Sequence, residues 1–525
     1  MVEDGFKPRT GSTRVAIIGS GFSGIAAAVA LQRRGIHDYV ILEQASGVGG
    51  TWWKNRYPGA EVDLESHIYS FSFAHEDWDR THATREQLQR YLERVADEHG
   101  LTPKLRLNER VTRVEWQEAT DSYRILTASG IDHGEFTAVI SAVGFLNIPL
   151  MPPFARGESP FRGAVCHTAD WPEGLDMAGK VVGVVGTGSS AAQMVPEAEK
   201  VASQVKVFQR EANWIIPKKA RAFGGVERWL LRRRLGYILR RWWLYGVYDR
   251  RQMFGRHALE GKRPHAKRER IARAHLEESL AGEPKLMKDV TPDDVFEGRR
   301  AVLSDTYYDA LRSEKVELIP HSVAELTARG VRDDAGSEYD LDMIVLATGF
   351  DAANYLGNYE VVGRDGIELH QRWGSEPEAF LGIMVPGFPN FFIMYGPNTN
   401  SVPLVSFYEA QAGFAARLLK RMERRGRTTV EVRESAFRRY NVWLQRWLGR
   451  TVWSRTHNYF RASTGKVVSQ WPFSATVYIL ALRIAEHRAM VLGGARRRGG
   501  SGSSVAADDG SADRGVPSPG ESFGE

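Results

Sequence analysis

An α/β chain built from two similar units, the second interrupted by a helical insert, is what this sequence predicts. Three observations carry that expectation. A short β-branched run near the start of the chain meets a glycine turn. A second glycine turn of the same layout recurs near residue 186. The residue that ends the next apolar run then follows each turn at the same interval, Glu43 after Gly19 and Arg210 after Gly186.

The first unit reads RVAIIGSGFSGIAAAVALQRRG, with Val15 to Ile18 as a strand and Gly19, Gly21 and Gly24 as the turn. The first glycine of such a turn permits the tight bend, the second admits a pyrophosphate, and the third lets the following helix lie close on its strand. An Ala-rich helix ending near Gly35 then presents its N-terminus, with free N–H groups and the positive end of its dipole, to the phosphates. The next strand, Tyr39 to Leu42, ends in Glu43, whose carboxylate suits ribose hydroxyls.

The second unit, KVVGVVGTGSSAAQMVPEA, has Val181 to Val185 as its strand. Gly186, Gly188 and Ala191 hold the turn positions, and Thr187, Ser189 and Ser190 lie among them as cofactor-binding candidates. Its second strand, Val205 to Phe208, ends in Gln209 and Arg210. A carboxylate suits a free ribose and a guanidinium suits a 2′-phosphate, so FAD in the first unit and NADPH in the second is the simplest assignment. Glu211, beside Arg210, either pairs with it or repels the phosphate. Two apolar runs, Thr137–Phe145 and Leu341–Phe350, each stop at a Gly-Phe pair and read as the strands leading out of each unit.

Composition narrows the class. At 525 residues the chain exceeds one hydrophobic core, so two or three domains are expected. A net charge of +6 with no nucleic-acid reading module gives no reason to expect nucleic acid as a partner. The one cysteine, Cys166, excludes a disulfide framework and a Cys-x-x-Cys redox pair, and points to a reducing, cytoplasmic setting. No leader pattern opens the chain, and no apolar stretch approaches the roughly eighteen residues of a membrane span. The first dozen residues and the Gly-, Ser-, Asp- and Arg-rich tail, 493–525, are expected to be disordered.

FRGAVCHTADWP fits FxGxxxHxxxW(P/D) through Phe161, Gly163, His167, Trp171 and Pro172, just upstream of the second glycine turn. This resembles the signature of type I Baeyer–Villiger monooxygenases. GGTWWKNRYPGAEVD, Gly49 to Asp63, is similar to that family's flavin-wrapping segment, with Trp52, Arg56, Tyr57, Pro58 and Asp63 in matching positions. GFPNFFIMYGPNTN resembles the segment returning to the FAD domain, and Arg299 and Arg300 stand where the family usually has Lys-Arg. The resemblance spans about residues 14–492. Departures are small: Ala-Val-Gly at 142–144 for Ala-Thr-Gly, Glu211 for a frequent Thr, and Arg299 for Lys.

The resemblance implies insertion of one oxygen atom from O₂ beside a ketone carbonyl, giving an ester or lactone, through NADPH-reduced FAD and a C4a-peroxyflavin. It implies catalytic roles for Arg300, as the cation facing the negative oxygens, and for Asp63, its counter-charge. It places Gly50, Thr51, Trp52 and Tyr57 on the flavin and Arg299 beside Arg210 on the 2′-phosphate. His167 is expected to tie the interdomain linker and carries no proton-transfer role. The domain plan expected is an FAD domain of 13–147 plus 351–492 and an NADPH domain of 148–350 with a helical insert at about 216–298. That insert is expected to turn its Trp and Leu face inward, with a membrane-surface role as the alternative. Nitrogen or sulfur oxidation and a silent flavoprotein are the competing functions. The particular ketone and the oligomeric state are not legible in the sequence.

Overall fold

The computed structural model describes residues 13–456 and 458–495. The first dozen residues and most of the tail expected to be disordered lie outside the described residues. Gly493 itself ends a strand, Met490–Gly493, paired antiparallel with Thr429–Val432.

Two parallel five-stranded sheets form the frame. Their strands are continuous apolar runs because helices and loops cover both faces, and Val15 to Ile18 are at most 5% exposed. In the first sheet the glycine-turn strand Val15–Ile18 lies between Tyr39–Leu42 and Ala138–Ser141. Leu105–Arg106 and Phe391–Ile393 are the edges. In the second, Val181–Val185 lies between Gln204–Phe208 and Met343–Leu346, with Val316–Ile319 and Ala164–His167 outside them. The two sheets thus repeat one arrangement, and both central strands deliver their chain to a glycine turn at the carboxyl end, where such sheets bind ligands.

The first sheet draws on chain from both sides of the second. Phe391–Ile393 joins it, and the long helix Leu404–Arg424 packs on the glycine-turn helix Phe22–Gln32. His167, at the end of its strand, accepts a hydrogen bond at Nδ1 from the N–H of Ala169 (3.0 Å), which fixes the turn toward Trp171.

The insert is helical, with Gly225–Leu231, Arg234–Gln252, Arg263–Ser279 and Pro284–Val290. Its expected orientation is overturned. Helix 234–252 packs through Tyr237, Leu244 and Gln252, while Leu235, Leu239, Trp242 and Trp243 are 56–68% exposed. Trp229 and Leu230 of the preceding helix are also exposed. The inward face wins because it makes specific bonds. Tyr237 and Ser70 share a hydroxyl hydrogen bond of 2.7 Å, and Arg241 donates to the carbonyls of His67 and Ser70.

Two histidines near this junction are held neutral. Burial, with Arg240 and Arg241 close by, holds His67 down at about 4, and burial with Lys218 does the same for His82. In the unfolded chain both titrate near 6.5. The unfolded state therefore takes up protons first as pH falls, so their contribution is complete above about 6.5 and is lost toward 4. We expect stability to decline through that window by on the order of 1–3 kcal/mol per histidine. Denaturation midpoints of the wild type and of His67→Gln, measured between those pH values, test this. A slope unchanged in His67→Gln contradicts the assignment to His67.

Candidate active site

A cavity of about 1180 Å³ lies between the two sheets, reached by the first glycine turn, the segment 49–65, the N-terminus of helix Ser189–Val201, the insert and the chain around 395–471.

The first turn is shaped for close backbone approach. Gly19 has φ +102°, and a Cβ there would sit 2.7 Å from the carbonyl oxygen of Ala142. At Gly24 a Cβ would come within 2.0 Å of the Gly19 carbonyl oxygen. Helix Phe22–Gln32 and helix Ser189–Val201 both start from a glycine, Gly21 and Gly188, with no side-chain cap. Their first N–H groups are left for anionic groups, which is what two dinucleotide pyrophosphates supply. Glu43 is buried and oriented: its carboxylate accepts from the Ser20 N–H, the Ser20 hydroxyl and the Ala45 N–H, each at 2.8 Å. Four lone-pair sites minus those three bonds leave room for a ribose hydroxyl. These features fit FAD in the first unit and a nicotinamide dinucleotide in the second.

Across the cavity, Arg300 donates from Nη2 to Asp63 Oδ2 at 2.5 Å, joining residues 237 positions apart. The Arg300 side chain is 44% exposed, and that exposure opens onto the cavity it lines. Burial opposes its charge, but Asp63 and the Tyr459 hydroxyl outweigh it, and the guanidinium stays protonated well above its ordinary range. Asp63 is steadied from the second unit: Gln193 Nε2 lies 3.5 Å from Oδ1 and donates to the Glu61 carbonyl at 3.0 Å. The Gln193 side-chain oxygen accepts from Tyr57 at 2.8 Å, and burial pushes that phenol up to about 12, so it remains a donor.

Of the residues expected at the site, Gly19, Gly21, Glu43, Gly50, Thr51, Trp52, Tyr57, Asp63, Ser189, Ser190 and Arg300 all line this cavity. Gly24 lies beneath the turn. Gly186, Thr187 and Gly188 shape the second turn, outside the cavity wall, and Thr187 donates to the Glu211 carbonyl at 3.0 Å. Arg210 and Arg299 stand off the cavity with Glu211 between them. Arg210 is 75% exposed and 3.9 Å from Glu211, whereas Arg299 is ion-paired to both Glu211 and Asp294.

The structure adds Gln193, Tyr459, Arg251 and Arg268, which sequence reasoning missed. Gln193 sits one helical turn after Ser190, so helix periodicity gave a signal for it; Tyr459 had none. Arg251 and Arg268 of the insert both reach the cavity and share Glu297, the former at 3.5 Å, and the latter ion-paired to it. Burial lowers both, Arg251 to about 10, so Arg251 remains charged at neutral pH. Trp453, Gln470 and Trp471 line the cavity, while Trp443 is on the surface, stacked on Phe473.

Comparisons with known proteins agree with this geometry. A family described as pyridine nucleotide-disulphide oxidoreductase matches residues 16–224. Cys166 is buried and its thiol is pushed up to about 12, so that match reflects the nucleotide fold and not disulfide chemistry. A Baeyer-Villiger monooxygenase of Pseudomonas aeruginosa is 36% identical over 475 residues, 87% of each chain. One of Streptomyces coelicolor is 37% identical over 467 residues, 87% of this chain and 88% of that one. Among solved structures, an oxidized steroid monooxygenase bound to NADP superposes with a TM-score of 0.83 at 28% identity, covering 92% of this chain and 99% of that one. Cyclohexanone monooxygenase from Rhodococcus sp. Phi1 bound to NADP+ gives 0.83 at 25% identity, covering 93% and 100%. The chain belongs to the Baeyer–Villiger monooxygenase family and is an FAD-dependent, NADPH-using enzyme.

Proposed function

We propose that the Arg300–Asp63 pair marks the point in the cavity where a ketone and O₂ react, and that the product is an ester or lactone. The single observation supporting this is a charged guanidinium fixed by a carboxylate from a different segment, facing a cavity bordered by both glycine-turn helices. The balance is ketone, O₂, NADPH and a proton giving ester, NADP⁺ and water. FAD, when bound, takes the hydride from NADPH and activates O₂.

The chain supplies position and charge. Arg300 offers fixed N–H donors where negative oxygen develops, a stabilisation strongest in a site closed to bulk water. Asp63 orients that guanidinium, and Tyr57 and Gln193 hold Asp63. Arg251 and Arg268, which share Glu297, stand on the insert side of the cavity. Trp453, Phe460 and Trp471 give the cavity apolar walls that suit the carbon skeleton of a ketone. A cytosolic setting fits the lone, buried Cys166, and no helix among the described residues is long and apolar enough to cross a membrane.

At the NADPH end, Arg210 is the freer of the two arginines and the better candidate for the 2′-phosphate. We expect Arg210→Ala to raise KM for NADPH roughly ten-fold or more, with KM for NADH little changed. Glu211→Gln, by removing a like charge from the phosphate, is expected to lower KM for NADPH. Steady-state rates with both dinucleotides decide, and equal changes for both remove Arg210 from this role.

The reaction itself is tested by offering the FAD-loaded enzyme matched ketone, amine and sulfide panels and following NADPH oxidation with product mass. Esters or lactones from the ketones are expected. Oxidised amines or sulfides with untouched ketones would overturn the proposal.

A further inference from the structure

Helix Arg234–Gln252 is two-faced in an inverted sense. Its inner face binds the body of the protein and reaches the cavity through Tyr248, Arg251 and Gln252. Its outer face carries Leu235, Leu239, Trp242, Trp243 and Val247, at the three-, four- and eight-residue spacings that gather side chains into one stripe. All five are 42–68% exposed. The preceding helix adds Val226, Trp229 and Leu230, at 77%, 56% and 51%. Single exposed apolar residues are ordinary, but eight large ones on two consecutive helices are an interaction surface.

Charge identifies the occupant. Arg233, Arg234 and Arg250 are exposed on these helices and carry no ion pair among the described residues. Arg233 lies over the Trp229 ring at 4.9 Å and Arg240 over the Trp243 ring at 4.9 Å, so cations and indoles alternate along the surface. The acidic neighbours are already used: Glu227 pairs with Arg221, Asp77 with Arg228 and Arg232, and Glu65 with Arg240. Trp and Leu with unpaired Arg around them is the composition of a helix lying in a lipid interface, indoles at headgroup level and guanidiniums on phosphates. A second copy of this chain is a poorer occupant, because a two-fold interface sets the same unpaired arginines against each other.

We propose that the 225–254 surface docks this enzyme peripherally on an anionic lipid bilayer, the outer face of helix 234–252 seated among the headgroups. One wall of the cavity is then the inner face of the helix that touches the lipid. A membrane-dissolved apolar ketone thereby has a short path to Arg300.

The test is co-sedimentation of the full-length, FAD-loaded enzyme with two kinds of vesicle. One is phosphatidylcholine alone and the other an equal mixture with phosphatidylglycerol, at about 0.1 M salt. Binding about ten-fold or more stronger to the anionic vesicles is expected, weakening as salt rises. Trp242→Ser/Trp243→Ser should lose most binding to either vesicle. Arg233→Gln/Arg234→Gln/Arg250→Gln should lose the anionic preference alone and provides a second test if the tryptophan variant misfolds. Both variants should oxidise NADPH with a water-soluble ketone at the wild-type rate. No vesicle binding by the wild type, or unchanged binding by both variants, overturns the proposal. So does a wild-type dimer in sedimentation equilibrium that the tryptophan variant dissociates, since the surface would then be a contact between copies.

Discussion

Arg300→Ala is expected to lower ester formation by on the order of 10²–10³ or more while the protein keeps its FAD. The guanidinium donates to Asp63 through Nη2 and leaves further N–H groups directed into the cavity, where a reacting oxygen gains negative charge. Alanine removes both the charge and the donors and leaves Asp63 without its ion-pair partner beside the same oxygens. The loss therefore combines missing attraction with new repulsion. Arg300→Lys restores a point charge but not the planar fork, and an intermediate rate is expected. Flavin content from the visible spectrum and product yield by gas chromatography separate binding from chemistry. Wild-type ester yield in Arg300→Ala removes this residue from the reaction.

Gly24→Ala is expected to reduce bound FAD below about a tenth of the wild-type content, through a single methyl group that never meets the cofactor. The added Cβ would stand 2.0 Å from the Gly19 carbonyl oxygen, which is backbone and cannot rotate away. Relief requires lifting the helix from the turn, and Gly19 is itself confined by the Ala142 carbonyl. The helix N-terminus that faces the pyrophosphate then moves with it. The ratio of flavin to protein absorbance after purification measures the effect. Full flavin content shows that the turn has slack the packing does not suggest.

Both sites were legible in the sequence, for different reasons. The glycine turns are local: strand, turn and helix lie within a few consecutive residues, and β-branched runs beside glycines admit few other conformations. Arg300 and Asp63 are 237 positions apart, so no periodicity joins them. A family resemblance at two separate segments did. The insert shows where local pattern stops. Helix 234–252 has apolar residues on both faces, Tyr237 and Leu244 on one, Leu239 and Trp242 on the other. Amphipathic spacing cannot say which face the protein covers. That was decided by hydrogen bonds of Tyr237 and Arg241 with the segment 67–70, which are tertiary and invisible in the chain. Tyr459 and the Arg251–Glu297–Arg268 group were hidden for the same reason. Each is an ordinary residue until the insert and the C-terminal segment close on one cavity.

Ketone oxygenation at Arg300 is tested most directly by running the FAD-loaded enzyme with NADPH, a ketone it accepts and ¹⁸O₂, then locating the label in the product by mass spectrometry. One labelled oxygen in the new ester linkage per NADPH consumed, absent in Arg300→Ala, is the predicted result. NADPH consumption that ends in hydrogen peroxide with every ketone tried, or an ester whose new oxygen carries no label, would contradict it.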